Sequence, residues 1–435
     1  MKTCINNSTK MSEINISESI TEQITAIGQR ARTASRALAG ISTEKKNNIL
    51  LSMADSLERN RKTISDANKQ DVADADKQDL APALIDRLLL TDSRINSMAA
   101  GIRDVAALPD PVGRILGTHT KANGLEIQKR AVPIGVIGMI YESRPNVTAD
   151  AAALCLKSSN AIILRGGSEA LRSNRAIADA LVEGGRGAGL PEHSLQLVPM
   201  RDRLAVKALI TMQKYVDLII PRGGEGLIRA VAENATVPVL KHYKGVCHIY
   251  VDGGADLKKA LSILENAKCQ RPGVCNAAET LLVDRAIADS WVPVMAALLS
   301  ERSVELRGDQ QAQSLAQNIL PATEEDWYTE YLDLILAVRI VDGIEQAVEH
   351  INHYGSGHSD AIVTENPEHQ NYFTRMVDSA AVYVNASTRF TDGAEFGMGA
   401  EIGISTDRLH ARGPVGLEEL TTYKYVVFGN GQIRE

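Results

Sequence analysis

Between residues 136 and 240 the chain alternates short apolar runs with helix-patterned stretches, and this alternation restricts the possible folds more than any other feature. Apolar runs occupy 136–140, 161–164, 195–198, 218–220 and 237–240, and helical stretches at 148–157, 172–183, 202–212 and 224–234 separate them. Strands that read as continuous apolar runs joined by helices are buried on both faces, which indicates a parallel sheet. Right-handed crossovers then give a doubly wound, Rossmann-like α/β layer. A second series begins at 247–251 and continues with strands at 280–283, 334–341, 361–363 and 380–384, so a second α/β domain is expected. Its helices fall at 255–268, 286–299, 344–351 and 367–377. The first hundred residues read as helices at 14–39, 43–61, 64–75, 81–90 and 93–107; Ile49, Leu50, Met53 and Leu57 share one helical face, behind an N-cap at Ser42 or Thr43. Residues 125–130 alternate as a half-exposed strand does, and 421–427 is rich in Tyr, Val and Thr.

Composition narrows the function classes. With 435 residues, 44% hydrophobic and 23% charged, there is material for two or three domains with sizeable cores. A net charge of −7 argues against general nucleic-acid binding, and 4% aromatic content argues against a base-stacking platform. Five cysteines (Cys4, Cys155, Cys247, Cys269, Cys275) are odd in number and lack CxxC spacing, so neither a disulfide framework nor a metal site is expected. The N-terminus has no apolar signal core and no apolar run is long enough to span a bilayer, so the expected location is the cytoplasm.

Chemistry concentrates in four stretches. In Arg271-Pro272-Gly273-Val274-Cys275-Asn276, Pro272 cannot continue the preceding helix and Gly273 tolerates unusual backbone angles, so Cys275 falls on a tight loop. Such a thiol is either a nucleophile presented to substrate or a small buried hydrophobe. Two glycine turns follow strands of the first layer, Arg165-Gly166-Gly167-Ser168 and Arg222-Gly223-Gly224, and each carries an arginine and precedes a helix. Backbone N–H groups at such turns, with a guanidinium beside them, suit the phosphates of a dinucleotide. Neither turn is GxGxxG or a P-loop. Late in the chain, Ser405, Thr406, Arg408, His410 and Arg412 form a loop with the makings of an anion pocket, or else a solvated connector.

The order of these motifs resembles the aldehyde dehydrogenase superfamily, and within it the γ-glutamyl phosphate reductases (glutamate-5-semialdehyde dehydrogenases) of proline biosynthesis. The resemblance rests on Val132-Pro133-Ile134-Gly135-Val136, Tyr141-Glu142-Ser143-Arg144-Pro145-Asn146, Leu164-Arg165-Gly166-Gly167, Pro221-Arg222-Gly223-Gly224, Gln270-Arg271-Pro272-Gly273-Val274-Cys275-Asn276 and His410-Ala411-Arg412-Gly413-Pro414. It implies an aldehyde dehydrogenase-like fold with these parts: an extension over 1–12, an NADPH-binding domain over 13–121 and 135–243, a catalytic domain over 244–405, and a small β oligomerisation element over 122–134 and 420–435. It implies Cys275 as the nucleophile and NADPH as cofactor, with Arg165, Gly166, Gly167, Ser168, Arg222, Gly223, Gly224 and Glu330 around it. Arg165 would meet a 2′-phosphate, and Glu330 the nicotinamide ribose. Asn146 falls near the superfamily's oxyanion-hole asparagine. The anions of L-glutamyl 5-phosphate would be met by Arg271, Ser405, Thr406, Arg408, His410 and Arg412. A homo-oligomer is implied, and the upstream glutamate kinase as a partner.

One departure is informative. Hydrolytic members carry a glutamate base in a Leu-Glu-Leu-Gly-Gly run, whereas this chain has Val239-Leu240-Lys241-His242-Tyr243-Lys244-Gly245 there. Without a carboxylate to activate water, a thioester is protected from hydrolysis and can exchange with phosphate. The competing readings are a hydrolytic NAD-linked aldehyde dehydrogenase and a non-catalytic nucleotide-binding scaffold.

Overall fold

The computed structural model describes residues 2–241 and 243–434. Helix α1 (Lys2–Leu38) is followed by α2 (Thr43–Arg59), α3 (Arg61–Asp76), α4 (Pro82–Leu88) and α5 (Asp92–Ala107). Ser42 caps α2 by accepting from Lys45 N, and Ile49, Leu50, Met53 and Leu57 are buried along one face, as the periodicity implies. Residues 2–12, expected to be a loose extension, are helical; no glycine or proline interrupts the chain between Lys2 and Ala26.

Strands β1 (Ile115–Thr120) and β2 (Glu126–Pro133) form a hairpin, and β3 (Val136–Tyr141) opens the parallel layer. The chain then alternates α6 (Val147–Lys157), β4 (Ala161–Gly166), α7 (Leu171–Gly187), β5 (Leu195–Leu197), α8 (Arg203–Ile210), β6 (Leu218–Arg222) and α9 (Glu225–Asn234). The sheet order is β5-β4-β3-β6, parallel throughout. The strand expected at 237–240 is reduced to a single bridge between Ile219 and Val239. Pro238 has no N–H to give a ladder, so only its carbonyl is used, accepting from Ile219 N at 2.8 Å.

The second series runs β7 (Cys247–Val251), α10 (Leu257–Cys269), β8 (Ala278–Asp284), α11 (Arg285–Glu301), β9 (Glu305–Gly308), α12 (Gln310–Leu315), β10 (Ile319–Pro321), β11 (Ile335–Val341), α13 (Ile344–Tyr354), β12 (Ser359–Val363), α14 (Pro367–Met376) and β13 (Ala381–Val384). These strands form one seven-stranded parallel sheet, β10-β9-β11-β8-β7-β12-β13. One core, with Ile249, Leu281, Trp291 and Val338, packs its α10–α11 face, and another, with Tyr250, Leu282, Ile351 and Phe373, packs its α13–α14 face. Strands β14 (Ile404–Ser405) and β15 (Gly413–Pro414) form a small antiparallel pair, and β16 (Thr421–Phe428) completes the three-stranded sheet β1-β2-β16.

Two compact units result, one of residues 2–241, 398–403 and 415–434, the other of 243–397 and 404–414. The segments 122–134 and 420–434 therefore belong to the first unit. The second reaches past residue 405 to 414, while 398–403 belongs to the first. Among the described residues, no helix is long and apolar enough to cross a membrane.

Candidate active site

In the second unit, Cys275 lies on the short loop between α10 and β8, where Pro272 and Gly273 stop the helix. Its side chain is half-buried, whereas Asn276 and Ala277 immediately after it are buried, so the loop dives into the core just past the thiol. Two contacts fix the backbone at Cys275. The Cys247 thiol donates to the Cys275 carbonyl at 3.2 Å. Burial pushes that thiol well up from its ordinary pKa, so Cys247 keeps the proton that it donates. On the other side, a Cβ on Gly245 would lie 1.9 Å from the Cys275 carbonyl oxygen. Only glycine permits that approach.

Glu330, expected near the nicotinamide ribose, accepts from Gly245 N at 2.8 Å, so its carboxylate is attached to the strip of backbone that packs on Cys275. Beneath the loop lies a buried ion pair, Lys268 Nζ to Glu279 Oε2 at 2.5 Å, with both side chains fully excluded from solvent. Glu279 Oε1 also accepts from Leu332 N. Burial raises Glu279 to a pKa of about 7 against the opposing pull of Lys268, and burial lowers that of Lys268.

Arg389 is, with Gly245 and Cys247, a contributor that sequence reasoning missed. It sits in the turn Thr388–Phe390 beyond β13. Its Nε donates to Gln270 at 2.9 Å and its Nη1 to the Asn276 side-chain oxygen, so one guanidinium holds both ends of the cysteine loop. Asn276 in turn donates to the Thr391 carbonyl at 2.9 Å, and Thr388 donates to the Asn276 carbonyl at 2.7 Å. The only sequence signal was its place five residues after the Val-Tyr-Val run of β13.

The late loop is organised by Asp378. Arg412 donates to its carboxylate and to its carbonyl, each at 2.8 Å, and Arg408 pairs with the other carboxylate oxygen. The two guanidiniums, Arg412 foremost, hold Asp378 below its ordinary pKa. Ser405 is buried and accepts from Asp407 N, Thr406 is half-buried, and His410 adopts φ 69°. Two of the expected anion ligands thus already face a carboxylate. Arg271, by contrast, is exposed at the head of the cysteine loop.

In the first unit the glycine turns stand at the carboxyl ends of β4 and β6, where open parallel sheets take ligands. Arg165 donates to the carbonyls of Gly166 at 2.8 Å and Arg201 at 3.0 Å. Its Nε, and Nδ2 of the fully buried Asn174, are buried donors without a hydrogen-bond partner. The Asn174 amide packs on Gly166 so closely that a Cβ there would lie 2.0 Å from it. Two unpaired donors around one glycine turn fit an anionic or electron-rich ligand. Ser168 begins the short turn that leads into α7. At the second turn, Gly224 N donates to Glu142 at 2.9 Å, so a carboxylate occupies the N-terminus of α9, and Gly223 packs on the same side chain. Arg222 closes β6 and its carbonyl accepts from Glu142 N. Asn146 precedes α6 and donates to Asp150 at 2.9 Å; burial raises Asp150 to a pKa of about 6, opposed by that bond.

In the stretch 239–245, Lys241 and Tyr243 flank His242 in sequence, and His242 lies outside the described residues. Among the described residues no cluster of His, Cys, Asp or Glu has metal-binding geometry.

Comparison with known proteins follows the same lines. Residues 2–317 match the model of the aldehyde dehydrogenase family. The chain is 56% identical to "Gamma-glutamyl phosphate reductase" of Moorella thermoacetica, over 94% of this chain and 98% of that one. It is 55% identical to the protein of the same name from Syntrophomonas wolfei, over 96% and 100%. The crystal structure of Gamma-glutamyl phosphate reductase from Thermotoga maritima superposes with a TM-score of 0.93 at 49% identity, covering 95% of this chain and all of that one.

Proposed function

The chain belongs to the γ-glutamyl phosphate reductases of the aldehyde dehydrogenase family, and we propose that it works through a thioester on Cys275 with NADPH as reductant. It reduces L-glutamyl 5-phosphate to L-glutamate 5-semialdehyde and phosphate, a step of proline biosynthesis. The observation that carries the mechanism is the position of Cys275: half-exposed, on a loop whose backbone is held by Gly245, Cys247 and Arg389.

The Cys275 thiolate attacks the acyl carbon, the carbon–oxygen bond to phosphate breaks, and inorganic phosphate leaves with that electron pair. Backbone N–H groups of the loop stabilise the oxyanion, each such donor contributing about 3 kcal/mol; Asn146, the side-chain donor that the family pattern suggests, has its amide on Asp150 and would have to release it to serve. NADPH, when bound, supplies the hydride that takes the thioester carbonyl to the thiohemiacetal level. The thiohemiacetal then gives up its hydroxyl proton, the carbon–sulfur bond breaks, and semialdehyde and thiolate separate. Arg165, with the turns Gly166-Gly167-Ser168 and Arg222-Gly223-Gly224, would hold the cofactor; the unpaired Arg165 Nε is the support for a 2′-phosphate and hence for NADPH over NADH. Glu330 would orient the nicotinamide ribose. Arg271, Ser405, Thr406, Arg408, His410 and Arg412 would serve the substrate anions. Lys241 and Lys244 stand where hydrolytic relatives carry their base, which favours phosphate over water as the acyl acceptor. The exposed β16 face, with Tyr425 and Val427, supports a homo-oligomer, and the upstream glutamate kinase is the proposed supplier of substrate.

Peptide mass spectrometry tests the thioester. After incubation with semialdehyde and NADP⁺ in phosphate-free buffer, the glutamyl adduct is expected on the Cys275 peptide. An adduct elsewhere, or none during turnover, would contradict the mechanism.

A further inference from the structure

Two guanidiniums meet at the nucleophile loop, one at its head and one bound to it from the turn beyond β13. Arg271 opens the loop and is exposed. Arg389 reaches it from 119 residues away in sequence to bind Gln270, and it binds Asn276 next to Cys275. These bonds employ Nε and Nη1, two of the three nitrogens of a group with five N–H donors, so donors remain beyond those that hold the loop. Arg389 is also electrostatically coupled to both Arg271 and Cys275. Partial burial, then the Arg271 charge, disfavour its cationic form, and Asp392, Cys275 and Glu395 offset this. Two cations held within electrostatic reach of each other repel unless an anion joins them. Arg408 and Arg412 do not share this property, because Asp378 already lies against both.

We propose that Arg389 and Arg271 form the phosphate subsite: they hold the phosphoryl group of the acyl phosphate beside Cys275 and receive inorganic phosphate as it leaves. The ligand class is a phosphate dianion, bound through charge-assisted hydrogen bonds from two guanidiniums. In the reverse direction the same pair delivers phosphate to the acyl-enzyme. The proposal rests on the acyl-phosphate reading of the preceding subsection, and it assigns to Arg389 a substrate role besides its structural one.

The test is protection of Cys275 against iodoacetamide, a neutral reagent, by inorganic phosphate in the full-length protein. Phosphate is expected to slow alkylation of the wild type. The half-protecting concentration is expected to rise about tenfold to a hundredfold in Arg389→Met and in Arg271→Met, the loss of one hydrogen bond to a charged group. The KM for phosphate in semialdehyde oxidation should rise in parallel, with a smaller change in the KM for semialdehyde, and Arg389→Lys should recover part of the loss. Arg271 is exposed, so its variant decides the matter should Arg389→Met fail to fold. Unchanged phosphate protection in Arg271→Met and in any folded Arg389 variant would overturn the proposal. Failure of the acyl-phosphate reading would look different: wild-type oxidation of semialdehyde would then proceed without phosphate.

Discussion

The Lys268–Glu279 pair beneath the cysteine loop gives the sharpest quantitative expectation. Both side chains are fully buried and 2.5 Å apart. Removing one partner of a buried ion pair costs about 3–5 kcal/mol, because the other charge is left uncompensated. Here the charge can be neutralised. The Glu279 pKa, about 7, lies above its ordinary value of 4.5, so the stability it contributes is fully present below about pH 4.5 and is lost as pH rises through about 7. Lys268 lies below its ordinary 10.5, so its contribution is present above that value and is lost as pH falls through the depressed one. Lys268→Met removes the ammonium that holds Glu279 down, and the carboxyl rises further. At pH 6 it stays protonated and the loss is that of an unmade hydrogen bond, about 1–3 kcal/mol. At pH 8.5 the loss approaches the about 3–5 kcal/mol of a broken pair. Both tryptophans, Trp291 and Trp327, belong to the second unit, so tryptophan fluorescence in urea reports on that unit alone. With a slope of about 3 kcal/mol/M, the midpoint should fall by about 1–1.7 M at pH 8.5 and by the smaller amount of about 0.3–1 M at pH 6. The double variant Lys268→Met/Glu279→Leu should recover most of the loss. Equal shifts at the two pH values, or a double variant as unstable as the single one, would refute the reasoning.

Two further expectations concern the site. Gly245→Ala places a Cβ 1.9 Å from the Cys275 carbonyl oxygen, a backbone atom that cannot rotate away, so the loop must move. A shift near 1 Å costs about 10²-fold in kcat, and the thermal midpoint should fall with it; kinetics at wild-type rate would show that the loop tolerates displacement. Arg165→Gln should raise the KM for NADPH about tenfold or more and leave that for NADH nearly unchanged, in initial-rate assays with each cofactor. Equal effects on both would remove Arg165 from the 2′-phosphate.

Both parallel layers were legible because β3, β4, β6, β7 and β12 are largely buried strands built on short apolar runs and separated by helical periodicity. Pro238 defeated the same reasoning at 237–240: the run is apolar, but a strand also needs its N–H groups. Strands β9 and β10 escaped because each is short and mixes exposed or charged residues with apolar ones, and β1 because its whole length is exposed. At the site, Cys275 was legible through the Pro-Gly before it and the family pattern around it. Gly245, Cys247 and Arg389 were not. Their parts arise from contacts across 28 to 119 residues, which local pattern does not encode. The pairing of Arg408 and Arg412 with Asp378 was hidden for the same reason, since sequence lists cations without their counterions.

The central claim, a thiol that passes its acyl group to hydride or phosphate and not to water, is tested most directly by oxidation of L-glutamate 5-semialdehyde with NADP⁺, with and without inorganic phosphate. Without phosphate, the wild type should form NADPH only in proportion to its Cys275 thiols and then stop. With phosphate, turnover should be sustained, and Cys275→Ala should show neither phase. Sustained turnover in the absence of phosphate, or an active Cys275→Ala, would contradict the account.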